Sequence, residues 1–240
     1  MEYVEFIQKI SFRFYQPWMY PKGFTKLSKV LKKFTVSLEV VNTRLPEHAQ
    51  VLQGRLIELL TIPRMSTFAI GAILNEGVSR LPDQTCFVNV GVWHGFTLLA
   101  GMKDNPRQRC IGIDNFSEFE SPKAALMEKF ERYKSPQHAF YEMDYRAYFR
   151  QVHQGQIGLY LYDGEHSYAN QIQGLRIVEP FLAEHGIILI DDTNRPDPRQ
   201  ATLDFISQSP YHYRIILDQQ TCIGDHPTFW DGLMILERMP

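Results

Sequence analysis

Two short stretches set carboxylates and a histidine directly behind apolar runs. Asp163-Gly-Glu-His166-Ser-Tyr follows residues 156–162, and Asp191-Asp192-Thr-Asn follows residues 186–190. Three carboxylates at one rim repel one another unless a cation lies between them. Hard oxygen donors without cysteine favour Mg²⁺, Mn²⁺ or Ca²⁺ over zinc. His166, three residues past Asp163, can face the same space and act as a general base near neutral pH. The plainer alternative makes Asp191-Asp192 an exposed cap and turn, and His166 a cap of the next helix.

A second constellation lies upstream, in Asn89-Val-Gly91-Val-Trp-His-Gly95-Phe-Thr97. Gly91 and Gly95 bracket a turn from strand to helix, where backbone can approach a ligand closely. The pattern is neither GxGxxG nor a phosphate loop. Asp114, with Asn115 beside it, stands 23 residues after Gly91, close to the spacing at which an acidic residue meets a ribose diol in dinucleotide folds. Together these features predict an adenosine-containing ligand. The alternative is a turn aspartate that caps the next element.

These residues need a frame that brings strand ends together. Helical spacing is predicted over 66–81, 95–102, 122–133 and 169–182, and apolar runs predict strands at 86–92, 109–114, 156–162 and 186–190. Alternation of strand and helix implies a parallel sheet with helices on both faces. Residues 211–217 and 230–237 read as two strands joined without a helix, hence an antiparallel hairpin at one edge. The expected fold is a Rossmann-like α/β doubly wound sheet, with a helical N-terminal cap over 1–62 and the ligand-binding domain over 63–240. The cap carries a helix from Phe24, with Leu27, Val30, Leu31, Phe34 and Leu38 on one face and Lys22, Lys26, Lys29 and Lys33 on the other. Such a helix can lie on an anionic membrane, or simply show a solvated lysine face. A further helix is expected over 48–60.

Composition narrows the class. The 240 residues are 44% hydrophobic and 22% charged, which is globular and not disordered. A formal charge of −2 supplies no global field for nucleic acid. Residues 1–60 hold nine basic and five acidic residues, so a mildly basic segment adjoins an acidic body. Three cysteines without CxxC spacing argue against a disulfide framework or zinc site. No apolar run approaches the roughly 18 residues of a membrane span, and the first residues lack a secretion signal. A cytoplasmic protein is expected.

The motifs resemble those of class I S-adenosylmethionine-dependent methyltransferases, in particular the metal-dependent small-molecule O-methyltransferases that act on macrolide sugars and catechols. The resemblance rests on Asn-Val-Gly-Val-Trp-His-Gly at 89–95, Gly-Ile-Asp at 112–114, Asp-Gly-Glu-His-Ser-Tyr at 163–168 and Ile-Asp-Asp at 190–192. It covers residues 66–240 and implies a seven-stranded sheet with the last strand inserted antiparallel. It also implies that Gly91, Gly95 and Thr97 line the methionine end of S-adenosylmethionine, that Asp114 and Asn115 hold the ribose, and that Asp144 lies at the adenine. Asp163 would touch cofactor and metal, Asp191 and Asp192 would complete a Mg²⁺ (or Mn²⁺/Ca²⁺) site, and His166 would be the base. Where the family usually carries an acidic residue, this chain has Asn89, whose amide oxygen can accept from the cofactor's ammonium but adds no charge.

The acceptor implied is a small hydroxylated molecule, sugar or phenol, with the sugar slightly favoured. The loop 219–229 and the N-terminal segment are its expected walls, with His226, Phe229 and Trp230 as contacts. A homo-oligomer is compatible with this reading. A nucleotide-dependent oxidoreductase, and a non-catalytic binding or scaffold protein on the same fold, remain the alternatives.

Overall fold

The computed structural model describes residues 3–34, 36–119 and 122–240. The N-terminal part runs α1 (Tyr3–Lys9), β1 (Ser11–Phe12), α2 (Phe24–Lys32), α3 (Leu38–Asn42), β2 (Thr43–Arg44) and α4 (Val51–Leu56). The expectation of helix and loop alone is corrected here, because β1 and β2 pair antiparallel. Fully buried Asn42 holds that pairing: its Oδ1 accepts from the backbone of Phe14 and Tyr15, and its Nδ2 donates to Tyr15 O. The single helix expected over 48–60 is also corrected, since α4 is flanked by 3₁₀ turns at Glu47–Ala49 and Ile57–Thr61. The tighter three-residue repeat keeps Leu56, Leu59 and Ile62 on one buried line.

The main body follows as α5 (Phe68–Ser79), β3 (Thr85–Val90), α6 (Phe96–Met102), β4 (Arg109–Asp114), α7 (Lys123–Tyr133), β5 (His138–Glu142), α8 (Tyr145–Gln151), β6 (Gln156–Tyr162), α9 (Tyr168–Val178), β7 (Leu182–Asp191), α10 (Pro196–Gln208), β8 (Tyr213–Gln219) and β9 (Leu233–Arg238). Seven strands form one sheet in the order β5-β4-β3-β6-β7-β9-β8. The pairs among β3, β4, β5, β6 and β7 are parallel, and β9 enters antiparallel to both β7 and β8. This is the seven-stranded, Rossmann-like architecture of the methyltransferase fold.

Three boundaries move. β7 begins at Leu182, four residues before the run at 186, because a register shift lets Glu184 and His185 point outward. β8 begins at Tyr213, and β9 at Leu233, since Trp230 and Gly232 both have positive φ and turn the chain before it. β5 has no counterpart among the runs expected from the sequence, being a half-exposed edge strand.

Two hydrophobic clusters cover the sheet. One joins N-terminal Phe6, Ile7, Phe12 and Val40 to α5, α6 and the sheet residues Leu159 and Ile187. The other packs Tyr148, Phe149, Leu175 and Phe205 over Val88, Tyr160 and Ile188. The N-terminal segment therefore shares the sheet's core. Cys86 and Cys110 are buried, Cys222 is exposed, and none forms a disulfide. Among the described residues no helix is long and apolar enough to cross a membrane.

One buried histidine sets an acid limit. His153 lies between Tyr148 Oη and Gly155 O, among the Phe149 and Phe181 rings, and burial pushes its pKa down to about 4. The unfolded chain takes up this proton first, so its stabilisation is complete above about pH 6.5 and declines toward pH 4. Lowering pH from 7 to 5 should cost about 1–2 kcal/mol at this group, read as a falling melting temperature. His153→Gln should flatten that slope, and an unchanged slope would refute the assignment.

Candidate active site

The crevice forms where the sheet changes direction. From β3 the chain adds β4 and β5 on one side, then returns to place β6 and β7 on the other. Loops leaving the carboxyl ends of β3 and its neighbours must diverge there, which leaves room for a ligand. A cavity of about 460 Å³ occupies this position, lined from the ends of β3, β4, β5, β6 and β7.

Gly91 makes the crevice possible. Its φ is +79°, and a Cβ would stand 1.7 Å from the carbonyl oxygen of Asp163 at the end of β6. The two strand ends thus touch through bare backbone, and any larger residue would force them apart. Gly95 (φ +97°) has a similar constraint, because a Cβ would meet the Leu126 side chain at 2.5 Å.

Asp114 ties the turn to β4. Its Oδ2 accepts from the backbone N–H of Val92 and Trp93 at 2.7 Å each, and its Oδ1 accepts from Phe116 N–H at 2.7 Å. A carboxylate offers about four acceptor positions, so roughly one remains for a ribose hydroxyl, and the diol-binding role is narrower than the sequence suggested. Asn115 lines the cavity as well, with Oδ1 accepting from Ser117 N–H. Asp144 caps α8 through the N–H groups of Arg146 and Ala147 and is gripped by the Arg146 guanidinium at 2.6 Å. That hydrogen bond is the first cause of a depressed Asp144 pKa. Asp144 therefore faces the cavity as one half of an ion pair.

Asn89 is placed elsewhere. It is fully buried and does not line the cavity. Its Nδ2 donates to Val90 O and Gly91 O, and its Oδ1 accepts from the Thr97 hydroxyl at 2.7 Å. This amide holds the turn against α6, outside the cavity lining. Thr97 does reach the cavity lining.

The carboxylates of the other strand ends do converge. His166 Nε2 lies 3.6 Å from Asp163 Oδ1 and 3.5 Å from Asp192 Oδ2, as ion pairs without hydrogen-bond contact. Burial raises Asp163 to about 6 against the pull of His166, and burial followed by repulsion from Asp163 and Asp192 raises Asp191 well above the usual carboxylate range. Burial also raises Asp192, against the pull of His166. Burial opposes charge on His166, but the pull of Asp163, followed by the charge of Asp192, outweighs it and raises its pKa. Asp191 Oδ1 is buried without a partner.

These oxygens suit a divalent cation in donor type, and the orphaned Asp191 Oδ1 is the atom such an ion would satisfy. Their spacing is not yet that of a ligand set. Among the described residues no three His, Cys, Asp or Glu side chains are placed to hold one ion, and His166 lies between Asp163 and Asp192.

The acceptor walls differ from expectation. Trp230 lines the cavity, but His226 and Phe229 do not. His226 is buried, bonded to Thr228 Oγ1 and Met19 O, and Phe229 packs edge-on against Phe12 at 5.2 Å. Among the described residues of 1–62, none lines the cavity; the wall comes from Pro63, Arg64, Met65 and Ser66. Trp93 and Phe119, with ring centroids 5.8 Å apart, and the exposed Glu118 also line it. Trp93 was visible within the Gly91–Gly95 turn. Phe119 and Glu118 sit in a loop with no periodic signal.

Residues 88–193 match the family model described as a methyltransferase domain. No curated protein matches the chain. The cofactor-bound protein Rv0187 from MTB is 12% identical with a TM-score of 0.60, covering 94% of this chain and 98% of its own. CalS11, the TDP-rhamnose 3'-O-methyltransferase of calicheamicin biosynthesis, is 18% identical with a TM-score of 0.56, covering 91% and 95%. The O-methyltransferase TomG from Streptomyces achromogenes, solved with S-adenosylmethionine, is 12% identical with a TM-score of 0.54, covering 92% and 100%. At these identities the solved structures establish the fold. The family match covers residues 88–193, the segment that carries the crevice.

This placement of Asn89 has a direct check. Asn89→Ala removes hydrogen bonds from a buried site and should cost about 1–3 kcal/mol in urea unfolding. Unchanged stability would mean that the amide is not holding the turn.

Proposed function

We propose that the protein transfers a methyl group from S-adenosylmethionine to a hydroxyl oxygen of a small acceptor, with His166 as the base. The observation that carries this reading is the position of His166, which lines the cavity between Asp163 and Asp192. Gly91, Gly95, Thr97, Asp114, Asn115, Asp144 and Asp163 would surround the cofactor. The acceptor oxygen attacks the methyl carbon as the carbon–sulfur bond breaks, and neutral S-adenosylhomocysteine leaves. The hydroxyl proton passes to His166.

The chain's contribution is alignment and proton transfer. Holding the hydroxyl in line behind the methyl converts encounter into an intramolecular step, an effect that can supply several kcal/mol. Neighbouring carboxylates make the imidazole a better proton acceptor and stabilise the imidazolium that forms. A divalent cation would require Asp163, Asp191 and Asp192 to close around it with His166 displaced from between them, and would then acidify the acceptor oxygen.

A hydroxylated sugar or phenol suits the acceptor side, where Trp93, Phe119 and Trp230 offer aromatic faces beside Glu118. The TDP-rhamnose activity of CalS11 gives the sugar first place in a screen. An oxidoreductase has no use for the Asp163–His166–Asp192 cluster, and S-adenosylhomocysteine, not NAD, should raise the melting temperature. A scaffold protein would show no transfer to any acceptor.

With labelled S-adenosylmethionine and a panel of sugars and phenols, wild-type protein should produce a methylated product. His166→Ala should lower kcat about 100-fold or more, and Asp191→Asn should lower it too, while both still bind S-adenosylhomocysteine. Undiminished turnover in both variants would overturn the mechanism. If the cation is used, Mg²⁺ added after chelation should restore turnover to wild type but not to Asp191→Asn.

A further inference from the structure

Away from the cavity, residues 6–38 have an unusual composition. They contain seven basic residues and no acidic one, which leaves 18 basic against 27 acidic residues in the rest of the chain. The same stretch exposes large apolar side chains: Trp18 is 71% exposed, Tyr20 63%, Phe14 56% and Val30 51%, with Met19 and Leu27 also exposed. Scattered exposed apolar residues need no explanation, but a concentration of them within a wholly basic segment does.

The helix α2 shows how this surface is made. Phe24 turns inward and packs edge-on against Tyr15 at 5.9 Å, and Leu31 is half-buried. Leu27 and Val30 continue the same apolar stripe beyond what the body covers. Lys22, Lys26, Lys29 and Lys33 are exposed alongside it. An apolar stripe flanked by lysines is the pattern of a helix lying in a lipid headgroup region, with its apolar edge at the acyl boundary.

Trp18, Met19 and Tyr20 are not exposed through looseness. Met19 N–H donates to Gln16 O and Lys22 N–H to Tyr20 O. Cys222 N–H donates to Pro17 O, and His226 Nε2 is 3.0 Å from Met19 O. The backbone is stapled to the loop between β8 and β9 while the side chains project into solvent. Trp and Tyr held this way match the aromatic anchors of membrane interfaces.

We propose that residues 14–33 dock this protein on an anionic lipid bilayer, with the lysines at the headgroups and Trp18, Tyr20, Leu27 and Val30 inserted at the interface. Charge selects the partner, because residues 14–33 hold five lysines and no acidic residue, which complements an anionic surface. The aliphatic Met19, Leu27 and Val30 favour lipid over nucleic acid, which has no comparable place for them. Docking would bring the loop between β8 and β9, and with it Trp230 of the cavity wall, close to the membrane.

The test is flotation of the full chain with vesicles of phosphatidylcholine alone or with about 30 mol% phosphatidylglycerol. Binding should require the anionic lipid and weaken as salt rises from about 0.1 to about 0.5 M. Lys26→Glu with Lys29→Glu should lower vesicle affinity at least about tenfold, and Trp18→Ser should weaken binding even at low salt. Both variants should keep the wild-type melting temperature and S-adenosylhomocysteine binding. Absence of binding to anionic vesicles, or binding untouched by these substitutions in folded protein, would overturn the proposal. So would a dimer in sedimentation velocity that Trp18→Ser dissociates, because a second copy would then cover the surface.

Discussion

The contact between the ends of β3 and β6 sets the geometry on which the site depends. With Gly91 against the Asp163 carbonyl, the two strands can stay paired to their last residues while the following loops part. That contact puts the Gly91–Gly95 turn on one side of the cavity and the 163–166 loop on the other. Asp114 then fixes the turn from β4 through three backbone N–H groups, and Asn89 fixes it from beneath through Thr97. A rigid turn held from two sides is what a cofactor site needs, since alignment achieved before binding is not lost to disorder afterwards.

Electrostatics supplies the second half of the site. Two unit charges about 4 Å apart interact by about 4 kcal/mol at an effective dielectric near 20. Two attractive partners at such distances can therefore exceed the burial penalty on His166, which agrees with its raised pKa. The carboxylates are less well served. Asp163, Asp191 and Asp192 all have raised pKa values, and one histidine cannot offset the burial and mutual repulsion of three carboxyl groups. The site is arranged to gain from further positive charge, whether from a sulfonium, a divalent ion or both. The basic N-terminal segment answers a different need, since Lys22, Lys26, Lys29 and Lys33 are exposed and none of its described residues lines the cavity.

Much of this was legible in the sequence because buried parallel strands are continuous apolar runs. Residues 109–114 and 156–162 read as strands and are β4 and β6, with their chemical residues directly behind them. The edge strand β5 escaped because His-Ala-Phe-Tyr-Glu alternates only weakly and is half exposed. The β1–β2 pair escaped because two-residue strands have no period, and their pairing depends on Asn42, 27 and 28 positions from its partners. The bonding of Asn89 was hidden for a related reason. Its residue type and position suit a cofactor contact, and only the packing of α6 shows that Thr97 donates to its oxygen. His226 and Phe229 were assigned to the acceptor wall by loop position, whereas burial against Met19 and Phe12 gives them structural work.

The central claim is that the crevice beyond β3 holds S-adenosylmethionine through Asp114 and the turn it secures. Calorimetric titration of S-adenosylhomocysteine into wild-type protein and Asp114→Ala tests it most directly. Wild-type protein should bind one-to-one, and Asp114→Ala should lose much of that affinity while its circular dichroism shows a retained fold. No binding to the wild type, or equal binding to both, would contradict it.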